Sequence, residues 1–201
     1  MRLYLASTSP ARLATLRAAG IEPVAIAPGV DEEAAVAAAG PLAPEEMVML
    51  LARLKAEAVA TAHPDLDGLV FGGDSAFEFD GTVYGKPHVP EVARERWLAH
   101  RGRSGLLHSG HWLIDTRTGC AVGAPAVATV NFATDITDAE IDAYIATGEP
   151  LEVAGAFTID SKGAAFIDSI AGDPHAVVGL SIPLLRTLVR SVGIEWTTLW
   201  A

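Results

Sequence analysis

Leu5-Ala6-Ser7-Thr8-Ser9-Pro10-Ala11-Arg12 is where the chain changes from one periodicity to another, and its reading decides the fold class. Before it, Leu3, Tyr4 and Leu5 form a short apolar run suited to a buried strand. After it, Leu13, Leu16 and Ala19 recur at helical spacing. Ser9 supplies a capping hydroxyl just ahead of Pro10, a residue pre-shaped for the first helical position. A helix starting there turns free backbone N–H groups and its positive dipole end towards the hydroxyl-rich turn, an arrangement that receives phosphate. Arg12 adds a cation one turn in. Ser-Pro also begins many helices for capping alone, so a second signal has to support the first. It comes from Gly72-Gly73-Asp74-Ser75, after the apolar run Leu69-Val70-Phe71, with Gly85-Lys86-Pro87 a hairpin's distance on. This reads as a second strand ending on a carboxylate, with small neighbours that let a substrate approach.

Outward from these two stretches, strands and helices alternate, which predicts a mixed α/β architecture around a central sheet. Helices are expected near Pro10 to Ala19, Pro44 to Ala62, Pro90 to His100, Asp138 to Thr147 and Ile182 to Val192. Leu106 to Asp115 and Ala121 to Phe132 read as a hairpin joined through Thr116-Arg117-Thr118-Gly119. Gly148 to Pro183, rich in glycine and carboxylates, reads as a cleft-lining segment with a strand at Ala164 to Ile167. The 201 residues suffice for a sizeable core and are read as a single domain, 1–201, with two lobes around a cleft as the variant of that reading.

A formal charge of −11 argues against a broad nucleic-acid or anionic-membrane surface, so neither is an expected partner. No apolar run is long enough to cross a bilayer. Met1 to Ala6 flows straight into the first strand without the apolar core of a signal peptide, and the single Cys120 permits no internal disulfide. Together these suggest a cytoplasmic location. Only three lysines stand beside eleven arginines: Lys55, Lys86 and Lys162. A lysine retained in such a chain suits a spot that wants a compact point charge.

Ser7, Ser9, Arg12, Asp31-Glu32, Lys55, Asp74 and Lys86 together suit hydrolysis of a nucleoside triphosphate. Cations and helix-end amides offset phosphate charge, while carboxylates hold a divalent ion or take a proton from water. Each has an ordinary alternative. Asp31-Glu32 reads equally as a solvated loop pair, Lys55 as an exposed helical lysine and Asp74 as a turn cap. His108 and His111, three apart on a strand, point to opposite faces and share no metal site; they read as surface or pocket-wall residues. His175 reads as a loop histidine, most of the four tryptophans as core or dimer contacts, and Cys120 lacks a nearby base that would make it a nucleophile.

The motifs resemble, in order and nearly end to end, those of the Maf or septum-formation nucleotide pyrophosphatases. Leu5 to Arg12 is similar to that family's Leu-Ala-Ser-x-Ser-Pro-x-Arg, Lys55-Ala56 to its Lys-Ala helix motif, Gly72 to Ser75 to its Gly-x-Asp, and Gly85 to Pro87 to its Gly-Lys-Pro. Gly148-Glu149-Pro150 with Ala154 to Phe157, and Val178-Gly179-Leu180, resemble its later segments. The resemblance implies an elongated α/β fold of Maf/ITPase type, a mixed sheet flanked by helices with a central substrate cleft, often as a homodimer. It implies hydrolysis of nucleoside triphosphates to monophosphate and pyrophosphate with Mg or Mn. Asp74 would be the general base; Ser7, Arg12, Lys55 and Lys86 would hold phosphates; Asp31 or Glu32 would assist Asp74 with the metal. A noncatalytic nucleotide-binding regulator of cell division on the same scaffold is the alternative. The chain departs from the family's thymidine- and uridine-triphosphate branch at Ala11, Ser75 and Asp160, where that branch has arginine, threonine and glutamine. Asp160 is more similar to the branch acting on 7-methylguanosine triphosphate, which implies a noncanonical or methylated substrate and a house-cleaning role.

Overall fold

The computed structural model describes residues 1–201. Seven strands form one mixed sheet in the order β2-β1-β3-β5-β6-β7, with β4 pairing β3. The strands are β1 (Leu3–Ala6), β2 (Val24–Ala25), β3 (Leu69–Phe79), β4 (Thr82–Tyr84), β5 (Ser104–Asp115), β6 (Ala121–Phe132) and β7 (Ile167–Ala171). The helices are α1 (Pro10–Ala18), α2 (Glu32–Ala39), α3 (Pro44–Ala62), α4 (Pro90–His100), α5 (Asp138–Ala146), α6 (Pro174–Val178) and α7 (Ile182–Ser191). No helix is long and apolar enough to cross a membrane. The chain divides into two compact units, one of 1–74, 109–126 and 179–201, the other of 75–108 and 127–178.

In the first unit β1 is buried at all four positions and pairs in parallel with both β2 and β3. That surrounding explains its unbroken apolar sequence, since a parallel strand covered on both faces has no solvent side for polar residues. Ser9 caps α1 as expected, its Oγ accepting the Arg12 N–H at 3.4 Å with Pro10 next in line. α3 also opens on a proline, and Glu46 closes back on the Ala43 N–H at 2.9 Å. Its buried residues are Val48, Leu51, Ala52, Lys55, Ala56 and Val59, a stripe at three- and four-residue spacing. Two strands meet that stripe through glycines. A Cβ at Gly72 of β3 would collide with the Ala52 carbonyl oxygen, and one at Gly110 of β5 with the Val48 carbonyl. The helix backbone therefore lies directly on the strands.

The strand thus does not end on Asp74 as expected. β3 continues through Asp74 to Phe79, because Ala76, Phe77 and Phe79 supply buried residues beyond it and the glycines admit α3 rather than bend the chain. α2 replaces the expected loop around Glu32: Asp31 caps it through Oδ1 to the Ala34 N–H at 3.0 Å, and Gly40 ends it with φ of 79°.

The second unit has its own core, in which Phe77, Phe79, Trp97, Phe132 and Phe157 pack with Tyr144. Most of these rings meet edge to face, as between Phe77 and Phe157 with centroids 4.9 Å apart. Trp97 lies fully inside it and donates its indole N–H to the Ala156 carbonyl at 2.7 Å. α5 carries a capping box between Thr137 and Glu140. The expected hairpin is present: the Gly119 N–H meets the Asp115 carbonyl at 2.8 Å between β5 and β6. The expected strand at Ala164 to Ile167 is instead a 3₁₀ turn over Lys162–Phe166, and the strand follows as β7, antiparallel to β6. His108 and His111 are buried, not surface or pocket-wall residues, because β5 is an interior strand of the sheet. Trp200 is 57% exposed.

Candidate active site

Lys55 sits on the buried stripe of α3, and the close approach of that helix to β3 sets its ammonium against Asp74. Nζ lies 2.6 Å from Asp74 Oδ1 and 2.8 Å from Glu32 Oε1. The Lys55 and Asp74 side chains are only 8% and 11% exposed, whereas Glu32 is half exposed. The exposed-lysine reading therefore fails: Lys55 is a buried cation with two carboxylate partners. Burial raises the Asp74 pKa above its ordinary value, and the attraction of Lys55 and Arg12 only partly offsets this. An acid so placed is a stronger base than an exposed aspartate yet keeps cations beside it.

Arg12 is buried in the first turn of α1. Its Nε donates to the Gly179 carbonyl at 2.8 Å and its Nη1 to Ser7 Oγ at 3.3 Å. Burial pulls the Arg12 pKa down, opposed by the fields of Asp74 and Glu32; an arginine stays charged through such a change. Ser7 Oγ also accepts the Ser9 N–H at 3.1 Å. The hydroxyl turn, Arg12, Lys55, Asp74 and Glu32 thus share the first unit, with two cations against two carboxylates.

The remaining expected residues fall into two groups. Ala11 lies beside Arg12 on α1, and Ser9 serves as the helix cap. Asp31 uses Oδ1 to cap α2, so of the Asp31-Glu32 pair only Glu32 reaches Lys55. Ser75, Lys86 and Asp160 belong to the second unit. Ser75 follows Asp74 directly on β3; Lys86 comes after β4, half exposed and 3.9 Å from Glu152; Asp160 is exposed. No three His, Cys, Asp or Glu side chains gather around one point. Two carboxylates converging on one ammonium nevertheless suit a magnesium-sized ion, which is commonly held by one or two carboxylates plus substrate phosphates.

Two groups escaped the sequence reading. The Gly179 carbonyl fixes Arg12 from 167 positions away, a contact with no local signal. Glu149, quoted only within a motif, organises Thr158 to Gly163: its carboxylate accepts from Thr158 Oγ1 at 2.5 Å, Ser161 Oγ at 2.9 Å, Tyr144 Oη at 3.0 Å and the Gly163 N–H at 3.0 Å. Burial pushes its pKa up, but the hydrogen bonds from Thr158, Gly163, Ser161 and Tyr144 outweigh it and bring the value to about 2.

Comparison with known proteins places the whole chain in a family. The family profile described as "Maf-like protein" matches residues 2–192. A protein from Leifsonia xyli subsp. xyli named nucleoside triphosphate pyrophosphatase is 70% identical, the match covering 100% of this chain and 97% of that one. Proteins of the same name from Streptomyces coelicolor and Salinispora tropica are 51% and 50% identical, covering all of this chain and 95% and 88% of theirs. The chain belongs to the Maf-like protein family.

Proposed function

We propose that this protein is a nucleoside triphosphate pyrophosphatase, a hydrolase acting on acid anhydrides that yields a nucleoside monophosphate and pyrophosphate. The observation that carries the reading is Asp74, a buried carboxylate with a raised pKa, bonded to Lys55 beside Arg12 and Ser7. The names of the full-length relatives support the same activity.

Asp74 acts as general base. Its raised pKa brings it nearer the value at which proton transfer from water is efficient at neutral pH. The water oxygen bonds to the α-phosphorus, the bridging bond from that phosphorus to the β-phosphate oxygen breaks, the electron pair leaves with pyrophosphate, and the water proton passes to an Asp74 carboxylate oxygen. Arg12 and Lys55 bind the phosphates and hold positive charge where the leaving group develops negative charge. Ser7 and the N-terminal amides of α1 orient the chain of phosphates. A divalent cation, magnesium or manganese, held by Asp74 and Glu32 neutralises phosphate charge when bound. Asp160 contributes to choice of base, favouring a methylated or otherwise noncanonical nucleotide and so a house-cleaning role; the protein works as a cytoplasmic homodimer.

Pyrophosphate release from ordinary, deoxy and methylated nucleoside triphosphates, with magnesium or manganese, tests the reading. Asp74→Asn is expected to lose activity by roughly 10²- to 10⁴-fold while still binding nucleotide. Undiminished release in that variant would remove Asp74 as base. Turnover of 7-methylguanosine triphosphate no faster than of unmodified nucleotides would end the base assignment.

A further inference from the structure

We propose that His111, through the Gly179–Ser181 turn, is a positioning residue for Arg12. His111 is fully buried in β5 beside the Phe71 ring. Its Nδ1 lies 3.0 Å from the Ser109 carbonyl oxygen, an acceptor, so Nδ1 carries the proton. Nε2 is then bare, and it accepts the Ser181 backbone N–H at 2.8 Å. The ring holds the turn by a bond that only the neutral Nδ1–H tautomer can make.

Two residues before that N–H, the Gly179 carbonyl accepts from Arg12 Nε at 2.8 Å. Gly179 has φ of 112°, a backbone conformation that L side chains rarely adopt, so the direction of its carbonyl depends on how the turn is pinned. The pins are Leu180, fully buried in the core; Ser181 Oγ, which caps α7 through the Leu184 N–H at 3.1 Å; and His111 on the Ser181 N–H. Of these, the His111 bond grips the turn from a separate strand. Releasing it lets the Gly179 carbonyl turn and frees the inner edge of the Arg12 guanidinium, whose Nη1 bonds Ser7 Oγ. The effect falls on how the phosphates are held, not on the proton transfer at Asp74.

This inference rests on Arg12 binding phosphate, and the test separates the two. His111→Phe keeps an aromatic ring, somewhat larger than imidazole, but removes the acceptor. Ser181→Pro removes the donor at a φ of −73°, which proline adopts readily, together with the Oγ cap, and Ser181→Ala, which removes the cap alone, is expected to leave KM near the parent value. His111→Phe and Ser181→Pro are each expected to lower kcat/KM roughly ten- to hundredfold, chiefly through KM. His111→Gln, whose amide oxygen can replace Nε2 as acceptor, is expected to recover most of that loss. In an Arg12→Lys background, which itself should be impaired, His111→Phe and Ser181→Pro should add little further loss, because the contact they position is already gone. Val189→Ala, a core substitution on α7 that lowers Tm comparably, should leave KM near the parent value. Multiplicative losses in the Arg12→Lys background, or an equal KM rise from Val189→Ala, would overturn the role of His111 and leave that of Arg12 standing. Full activity of Arg12→Lys would overturn both.

Discussion

Lys55→Met removes the cation that lies between two carboxylates while keeping the length of the side chain on the buried stripe of α3. Glu32 is half exposed and can be solvated, so the cost falls on Asp74, whose side chain is 11% exposed. Leaving one member of a buried pair without its partner costs about 3–5 kcal/mol, far above the value of an exposed pair. Arg12 remains near and places the expected loss at the lower end of that range. The loss depends on pH, and its sign follows from the Asp74 pKa. That pKa is already raised in the folded parent, so the folded state binds the proton more tightly than the unfolded chain. Stability from this group is therefore greatest below the unfolded carboxylate pKa and falls as pH rises through the folded value. Removing Lys55 raises the folded pKa further, and each added unit is worth about 1.4 kcal/mol. Urea unfolding of parent and variant at matched pH values would measure this. The deficit should be small near pH 4 and widen to about 3 kcal/mol above neutrality, the low end of the range for a broken buried pair. A deficit below about 1 kcal/mol that does not change with pH would mean that the pair behaves as a surface ion pair, and the buried-base reasoning would fail.

Three other outcomes follow. Gly72→Ala pushes a methyl group into the Ala52 carbonyl and should cost at least about 1–3 kcal/mol by unfolding. Its turnover should fall more than its stability, because the α3 shift carries Lys55 away from Asp74. The acid limb of kcat/KM should lie above the ordinary aspartate range, since Asp74 must be ionised and its pKa is raised; a limb at or below that range would contradict its role. Glu149, with a folded pKa of about 2, stabilises the fold fully above the ordinary glutamate pKa and progressively less as pH falls towards 2. The stability gap between the parent and Glu149→Gln should therefore narrow between about pH 5 and pH 2, and a gap constant over that window would refute the assignment.

Local sequence signals carried much of the architecture. α1 begins on Pro10 behind its expected Ser9 cap, α3 begins on Pro44, and α4 spans Pro90 to His100 as read. β6 likewise runs from Ala121 to Phe132. α2 lies outside the expected helices although Asp31, a run of alanines and Gly40 are ordinary start, propensity and stop signals, because Asp31-Glu32 reads equally as a solvated loop pair. β3 extends past the expected end at Asp74 because the glycines beside it serve the close approach of α3, which local sequence does not reveal. The burial of Lys55 was legible in principle: it continues the spacing of Val48, Leu51 and Ala52, but a lysine on an apolar stripe is ordinarily dismissed. The bond of Arg12 to Gly179 and that of His111 to Ser181 join positions 167 and 70 apart. Only the folded chain brings them together.

Hydrolysis in ¹⁸O-labelled water, with the products separated, reports which phosphorus the water attacks and whether Asp74 drives the attack. The parent should yield nucleoside monophosphate and pyrophosphate with the label in the monophosphate, and Asp74→Asn should form neither product at a comparable rate. Label in pyrophosphate, release of orthophosphate in its place, or undiminished turnover by Asp74→Asn would contradict this mechanism.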